Sequence, residues 1–478
     1  PASGFYDFPI SNSLRFEGGD SAYLNFTPSS AGNRKTWTWS SWVKRSKLGA
    51  TQTFIDTRAA VNATQLININ INSADQLVVN SGAADYRKTN QLFRDTSAWF
   101  HLVVAFDTTN GTANNRVRIY VNGGEVTSFA TLNNPSENSD NGLNQAAAHA
   151  IGALGGGGGS SYLDCYLAEV NLIDGTVLTP SSFGETKNDI WIPKDTAGLT
   201  FGDQGWRLQF KQTGTGTAST TTIGADTSGE TNHWTSNNLV ASDVVPDSPT
   251  NNFATYNSIK PDTTGAQNHG FSEGNLKVTN LISSGAKWWN CFGTIGMFSG
   301  KYYWEHYPIG SGNVDLNIGV CTFDWHRGSN GGADTADAYT LYANSGGKGF
   351  LYTDDESSPV DKGTGYHWSW GDVMGVAFDA DTGKIWYAKN GTFLGSGDPA
   401  AGSNAAHTVT SASLAKGMLP VFSGEPGGKS AMVNFGQDSS FAGNETAQGN
   451  ADSNGIGDFY HAPPSGYLAL CTANLPDP

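Results

Sequence analysis

Alternating apolar and polar positions, together with short apolar runs, recur along the first half of the chain and predict β-strands. Turns rich in Gly, Asn, Asp and Thr separate these stretches, which is typical of two packed antiparallel sheets. The Asn122-Gly123 pair after the fifth stretch favours a tight hairpin turn. No amphipathic helix is apparent. The predicted strands occupy residues 13–16, 22–26, 37–43, 100–107, 117–121, 162–173 and 206–210.

The same kind of pattern resumes in the second half of the chain, after a stretch of different composition. Residues 211–265 are rich in Gly, Thr, Ser and Pro, which is typical of a flexible linker. We therefore expect an all-β protein with two β-sandwich (jelly-roll) domains at 1–210 and 266–440, and a C-terminal extension at 441–478. The second set of predicted strands lies at 300–305, 316–320, 371–379, 383–387, 419–422 and 433–436.

Composition narrows the classes of function. The 478 residues include 27 basic and 43 acidic side chains, a formal net charge of −16, which disfavours nucleic acid as a partner. No apolar run approaches the ~20 residues needed to span a bilayer, so membrane insertion is not expected. Pro1 leads directly into polar sequence, and we expect no signal peptide there. The four cysteines are widely spaced and predict neither a zinc site nor a disulfide framework.

The first domain carries an ordered set of motifs over residues 10–185: S-L-R-F-E-G-G-D-S-A-Y-L, W-S-S-W-V-K, W-F-H-L-V-V-A-F-D, V-R-I-Y-V-N-G and L-A-E-V-N-L-I-D-G-T-V-L-T. Together they resemble a laminin-G-like, concanavalin A-type jelly roll. The second domain, over residues 271–440, carries G-K-Y-Y-W-E, I-G-V, G-D-V-M-G-V, an N-G turn, P-V-F and N-F-G. This series resembles a SPRY domain. Each resemblance implies a β-sandwich.

The order of the two modules, with P-T-N-N-F-A-T between them and A-L-C-T-A-N-L-P near the end, resembles structural proteins of marine bacteriophages. This resemblance implies a virion protein on the particle exterior, as a fibre, spike or capsid decoration. Its expected partners are other virion proteins, further copies of itself as a homo-oligomer, and a host-surface glycan or protein. Two alternatives stay open, a purely architectural cement protein and a glycan depolymerase.

A depolymerase would need paired carboxyl groups. A retaining glycosidase places two of them about 5–5.5 Å apart, and Glu169 and Asp174 are the comparable pair in this sequence. Asn171 occupies the intermediate position that such enzymes fill with Asp, and Asp174-Gly175 is also typical of a simple turn. We therefore expect no catalytic activity.

Calcium is the only cofactor that the sequence suggests, and none is required. Acidic and Asn-rich loops can supply the oxygen ligands of Ca²⁺, and some laminin-G-like modules hold calcium at the rim of the sandwich. The candidate ligands are Asp107, Asn110 and Asp140. No D-x-D-x-D-G loop is present, and a solvated turn is the favoured interpretation.

Aromatic residues in or beside predicted loops of the SPRY-like domain are the candidate binding residues. SPRY domains bind proteins or peptides through loops at one face, and exposed aromatic rings also stack on sugars. The alternative is a core role, because a spacing of two places Trp368 and Trp370 on one face of a strand. The candidates are Trp288, Trp289, Trp325, His326, Tyr366, Trp368 and Trp370.

Overall fold

The computed structural model is nearly all-β and divides into two compact units, Ser3–Asn252 and Phe253 to the C-terminus. It describes residues 5–57, 66–82, 84–155, 158–259, 269–281, 289–325, 337–353, 359–424 and 429–475. Helices in these ranges are short, and none has the length and apolar character of a membrane span. They are α1 (Ser411–Leu414) and the 3-10 turns Gly18–Asp20, Ala113–Asn115, Pro180–Ser182, Ala241–Asp243, Glu273–Asn275, Thr364–Tyr366, Leu394–Ser396 and Thr472–Asn474.

The first unit is a sandwich of two antiparallel sheets, as the alternating pattern predicts. Its strands are β1 (Ser13–Phe16), β2 (Tyr23–Phe26), β3 (Thr36–Arg45), β4 (Gln52–Asp56), β5 (Asn68–Ile71), β6 (Gln76–Asn80), β7 (Asp85–Leu92), β8 (Phe100–Asp107), β9 (Val117–Val121), β10 (Gly124–Glu125), β11 (Phe129–Leu132), β12 (His149–Ile151), β13 (Cys165–Asp174), β14 (Gly184–Lys187), β15 (Ile190–Pro193), β16 (Trp206–Leu208), β17 (Thr235–Asn237) and β18 (Val244–Val245).

One sheet of this unit has the order β10-β9-β8-β3-β13-β1-β18, with β16 paired to β13, and the other has the order β11-β7-β6-β5-β4-β12-β2-β17. Strands β14 and β15 form a separate hairpin. The core between the two sheets contains Trp37, which stacks on Phe106 with ring centroids 4.8 Å apart. The hairpin turn between β9 and β10 has positive φ at Asn122 and Gly123, the geometry that an Asn-Gly pair favours.

The segment that composition predicts to be a linker is placed differently in the structure. Residues 211–252 belong to the first unit, where they supply β17 and β18 and bury Ile223 and Trp234. The Thr250 hydroxyl donates to the Ile10 carbonyl at 3.0 Å. A Gly- and Thr-rich composition therefore accompanies ordered strand and turn structure here, because long-range contacts fix the backbone.

The second unit is also a sandwich of two sheets. Its strands are β19 (His269–Ser272), β20 (Lys277–Asn280), β21 (Trp289–Phe292), β22 (Lys301–Ile309), β23 (Leu316–Thr322), β24 (Ala338–Ala343), β25 (Gly349–Thr353), β26 (Val360–Gly363), β27 (Met374–Asp379), β28 (Lys384–Lys389), β29 (Thr392–Phe393), β30 (His407–Thr408), β31 (Met418–Gly424), β32 (Ser430–Asn434) and β33 (Leu468–Ala469).

One sheet of the second unit has the order β19-β20-β32-β22-β27-β28-β29, and the other has the order β21-β31-β23-β24-β25-β26. Trp304 and Phe422 are fully buried between them. The C-terminal extension packs on the first of these sheets, since β33 pairs in parallel with β22. Phe459 and Tyr467 of the extension form a second apolar cluster with Tyr303.

Candidate functional site

Strand β5 of the first unit alternates strictly between Asn and Ile. The side chains of Ile69 and Ile71 belong to the sandwich core. Because successive strand residues point to opposite faces, Asn68 and Asn70 lie on the outer face of the sheet. The neighbouring strands continue this polar surface with Thr53 of β4.

These side chains line a groove with a volume of about 300 Å³ on the outer face of the sheet. Its floor is formed by buried side chains that include Thr53, Asn68 and Asn70. Nine of its eleven lining residues have amide, hydroxyl or charged side chains, and two, Val78 and Leu154, are apolar. The full lining is Thr51, Thr53, Asn68, Asn70, Asn72, Val78, Asn80, Asp85, Lys88, Leu154 and Ser161.

Hydrogen bonds between side chains hold the floor of the groove in one arrangement. The Asn68 amide Nδ2 donates to Oδ1 of Asp56 at 3.2 Å. Oδ1 of Asn68 accepts from Nδ2 of Asn70 and, at 3.4 Å, from Nδ2 of Asn80. An amide can donate two hydrogen bonds and accept two, so Asn68 uses its full capacity within the floor. Asn70 and Asn80 keep unused capacity, and these bonds fix the orientation of their amides before a ligand binds.

The charged groups of the groove neutralise each other. Nζ of Lys88 lies 2.9 Å from a carboxylate oxygen of Asp85. A ligand therefore meets dipoles of both signs and no net charge from this pair. Such a surface suits a neutral ligand that carries hydroxyl groups as well as apolar area.

Three of the predicted aromatic binding residues are in the core of the second unit. Trp289, Trp325 and Trp368 expose 1%, 3% and 0% of their surface, so the expectation that they form a binding surface is wrong. Trp289 packs on Phe422 and Trp325 packs on Phe292, with centroids 5.1 and 5.8 Å apart. Large rings add more apolar area to a sandwich core than any other side chain, which explains their burial.

The remaining candidates differ in their surroundings. Trp370 is half-buried, and its indole N–H donates to the Gly312 carbonyl at 2.6 Å. Tyr366 is also half-buried, with the Lys362 ammonium 5.1 Å from its ring centroid. Both rings therefore have local partners within the unit. Trp288 and His326 lie outside the described residues.

The candidate calcium ligands are engaged in local bonds. Oδ1 of Asp107 accepts from the Thr109 backbone N–H at 3.0 Å, and Oδ1 of Asn110 accepts from the Thr112 N–H at 3.0 Å. Asp140 lies 3.7 Å from the Arg34 guanidinium. Within the described ranges, no group of three or more His, Cys, Asp or Glu side chains could hold a metal ion. Calcium binding stays a prediction.

The two carboxyl groups considered for catalysis have structural partners. Glu169 lies at a bulge in β13 with a φ of +46°, is 5% exposed, and accepts from Nε of Arg207 at 3.1 Å and Nε2 of Gln209 at 2.7 Å. Burial raises the pKa of Glu169, and both partners oppose this shift. Asp174 accepts from the backbone N–H of Asn33 at 2.7 Å. These bonds fix the bulge and a turn.

The polar groove was missed by sequence reasoning, although a signal for it is present. Residues 66–72 read L-I-N-I-N-I-N, and a strand that alternates Ile with Asn has one apolar and one amide face. A row of amides at period two is uncommon on a plain solvent-facing strand, since Asn has a low β-propensity.

Known proteins match the two units separately. A family model for the concanavalin A-like lectin/glucanases superfamily matches residues 17–182, and a SPRY domain model matches residues 301–438. No curated protein sequence matches the chain.

Similar solved structures each resemble part of the chain. The SPRY domain of human HERC1 is 19% identical, with 33% of this chain and 87% of that domain covered at a TM-score of 0.25. A putative carbohydrate binding protein from Bacteroides ovatus is 16% identical, with 48% of this chain and 59% of that protein covered at 0.34. The heptameric SAP-like pentraxin from Limulus polyphemus is 16% identical, with 36% and 80% covered at 0.28. By its two family matches, the chain joins a laminin-G-like, concanavalin A-type sandwich to a SPRY sandwich.

Proposed function

We propose that this protein is a non-enzymatic structural protein on the exterior of a bacteriophage particle, and that it binds a neutral host-surface saccharide through the polar groove of its first unit. The observation that carries the binding proposal is the row of amide and hydroxyl side chains on the outer face of β4, β5 and β6. Asn68, Asn70 and Asn80 are linked to each other by hydrogen bonds, so the donors and acceptors of Asn70 and Asn80 that these bonds leave unused keep fixed directions.

A saccharide matches this groove in its chemistry. Sugar hydroxyls both donate and accept, as amides do, and each can exchange its hydrogen bonds with water for bonds to the groove. The groove's own ion pair between Lys88 and Asp85 leaves no net charge to recruit an ionic ligand. A volume of about 300 Å³ is on the scale of a small-ligand site.

The particle-exterior part of the proposal is supported by sequence resemblance. The two modules, the P-T-N-N-F-A-T segment and the A-L-C-T-A-N-L-P segment occur in the order that resembles marine bacteriophage structural proteins. Proteins of a virion act in many copies, and weak contacts of single sites then add through avidity. The expected partners are other virion proteins and further copies of this chain.

A glycan array tests saccharide binding with the whole chain and two matched variants. Asn70→Ala removes an amide from the groove floor, and Asn90→Ala removes an exposed amide of β7 that donates to Ser128 Oγ outside the groove. We expect Asn70→Ala to weaken binding about 3- to 10-fold, the effect of one neutral hydrogen bond. Asn90→Ala should bind as the unchanged protein does. Equal binding by both variants, or an array without signal, would contradict the proposed site.

Mass spectrometry and immunogold labelling of purified particles test the virion location. We expect the chain among the particle proteins, with antibody reaching it on intact particles. Its presence without antibody access would favour the architectural alternative, in which the modules cement neighbouring proteins. Its absence from particles would refute the virion proposal. Saccharide binding would still be tested independently by the glycan array.

A further inference from the structure

Two phenylalanine rings form an exposed stacked pair on the second unit. Phe298 exposes 67% of its surface and Phe323 exposes 40%. Their ring centroids are 5.3 Å apart with an interplanar angle of 19°. Phe298 lies in the connection between β21 and β22, and Phe323 directly follows β23. We call this pair the phenylalanine platform.

Glycines beneath the platform allow the rings to lie against the backbone. A Cβ atom at Gly296 would come 2.0 Å from Cζ of Phe323, and one at Gly417 would come 2.5 Å from Cε1 of Phe298. Gly417 also has a φ of +77°, which other residues rarely adopt. Both positions therefore require glycine if the rings are to keep this arrangement.

Backbone hydrogen bonds anchor the same segments. Met297 and Met418 exchange backbone bonds at 2.8 and 3.0 Å, and the Phe323 N–H donates to the Gly417 carbonyl at 3.3 Å. The two rings thus lie on three chain segments that backbone hydrogen bonds connect at one end of the sheet. The two rings are stacked, so each partly covers one face of the other, and their supports are backbone rather than flexible side chains.

Polar groups close to the platform in the chain are paired with each other. Nζ of Lys416 lies 2.6 Å from Asp337 and 3.3 Å from Asp324, and Asp324 also accepts from the Thr322 hydroxyl at 2.7 Å. The Asp324 side chain is 60% exposed and the Lys416 side chain is 39% exposed. Asp324 and Lys416 directly adjoin Phe323 and Gly417 in the chain, so exposed hydrogen-bonding groups belong to the same segments as the platform.

We propose that the phenylalanine platform binds one ring of a neutral saccharide, with the apolar face of the sugar stacked on Phe298. The exposed ring of Phe298 is complementary to the apolar face of a pyranose. The pairing of Lys416 with two carboxylates leaves no free positive charge and argues against an anionic ligand.

The small exposed area of the phenylalanine platform favours a sugar over a protein as its ligand. The two rings together expose roughly 200 Å², whereas a stable protein interface buries about 800 Å² on each partner. The formal net charge of −16 also opposes association with a second copy of this chain. The platform is on a different unit from the polar groove and does not depend on it.

Saturation-transfer NMR with the full chain tests this inference, using neutral hexasaccharides of glucose, mannose, galactose and N-acetylglucosamine as probes. The variants are Phe298→Leu, which keeps apolar area without a flat ring, and Phe298→Trp, which keeps the ring. The variant Asn90→Ala, at an exposed amide outside both candidate sites, is the matched control, and Asn70→Ala reports binding in the polar groove.

We expect Phe298→Leu to weaken binding of at least one probe about tenfold, with Phe298→Trp and Asn90→Ala binding that probe as the unchanged protein does. Equal binding by Phe298→Leu would show that the ring plane is unnecessary and would overturn the proposal. If none of the four probes receives saturation transfer from the protein, the platform proposal is also overturned. Loss of signal only in Asn70→Ala would support the groove and refute the platform.

Discussion

Two buried carboxylates, one in each unit, attach a chain segment to a sandwich by different means. Asp247 of the first unit is fully buried, and a carboxylate oxygen lies 2.7 Å from Nζ of the equally buried Lys44. Its other oxygen accepts from the Trp99 indole N–H at 3.0 Å. Lys44 also donates to Asn252 at 2.7 Å, so one ammonium holds residues 247–252 against β3.

Glu305 of the second unit accepts only from neutral groups in its hydrogen bonds. The backbone N–H groups of His461 and Tyr460 donate to it at 2.7 and 2.9 Å, the Tyr303 hydroxyl at 3.2 Å and the Asn434 amide at 3.2 Å. Two of these four donors belong to the C-terminal extension. Burial raises the pKa of Glu305 to about 7, and the hydrogen bonds oppose this shift.

The comparison shows two ways of fixing a segment that has few strands of its own. An ion pair supplies an opposite charge for the buried carboxylate, and removal of one partner leaves the other charge without compensation. Neutral donors supply direction but no charge, and the carboxylate then titrates near neutral pH. In the first unit, we expect attachment of residues 247–252 to depend on the ion pair between Asp247 and Lys44. In the second unit, we expect attachment of the C-terminal extension to depend on pH through Glu305.

The largest effect is expected from Asp247→Ala. It leaves the Lys44 ammonium buried without its carboxylate, which costs about 3–5 kcal/mol in other proteins. Calorimetry that resolves the transition of the first unit measures the change. The matched control is Lys47→Met, at an ion pair with Asp164 in which the Lys47 side chain is 53% exposed, where we expect less than ~1 kcal/mol. Similar losses of unfolding free energy in Asp247→Ala and Lys47→Met would contradict the expected difference between a buried and an exposed ion pair.

A smaller effect is expected from pH at Glu305. The carboxyl pKa rises from 4.5 to about 7 on folding, so folding favours the protonated form. The free energy of unfolding of the second unit should therefore fall by roughly 3 kcal/mol as the pH rises from below 4.5 to above 7. Calorimetry at pH 4.5, 6 and 8 measures this slope. Glu305→Gln removes the titrating group and should flatten the curve, and an unchanged slope in that variant would assign the effect to other groups.

The smallest effect is expected from Glu169→Gln, which neutralises a carboxylate that has one cation and one amide as partners. Gln keeps an acceptor for Arg207 or Gln209, and Arg207 also keeps its contact with Asp195 at 3.0 Å. We expect a loss of about 1–2 kcal/mol in the first unit. A glycan-turnover assay should give the same result for the variant and the unchanged protein. Turnover that is lost only in Glu169→Gln would revive the depolymerase alternative.

Most of the architecture could be predicted from the sequence, and very little of the polar groove could. The predicted strands at 13–16, 100–107 and 117–121 coincide with β1, β8 and β9, because alternation and turn dipeptides are local properties. The groove depends on which strands become neighbours. Asn68 and Asn80 meet because β5 pairs with β6, and Thr53 joins them because β4 pairs with β5. None of these three strands is among those predicted from the sequence.

The aromatic residues show the same limit. A large aromatic side chain in a loop sequence can be buried or exposed. Trp368 is buried, whereas Phe298 is exposed. The outcome depends on the sheets that surround each ring and on the glycines that make room for it, as at Gly296 and Gly417. Hydrophobicity alone does not distinguish Trp368 from Phe298, because both are large aromatic side chains that are usually buried.

By itself, the sequence predicted two β-sandwich modules, since strand periodicity and turn residues act over a few positions. Their laminin-G-like and SPRY types followed from the resemblance of the ordered motifs to those families. Only the tertiary structure decided that residues 211–252 belong to the first sandwich and that a row of asparagines lines a groove. The physical reason is distance along the chain. Lys44 and Asp247 are 203 residues apart, and contacts at such separations form only when the sheets assemble.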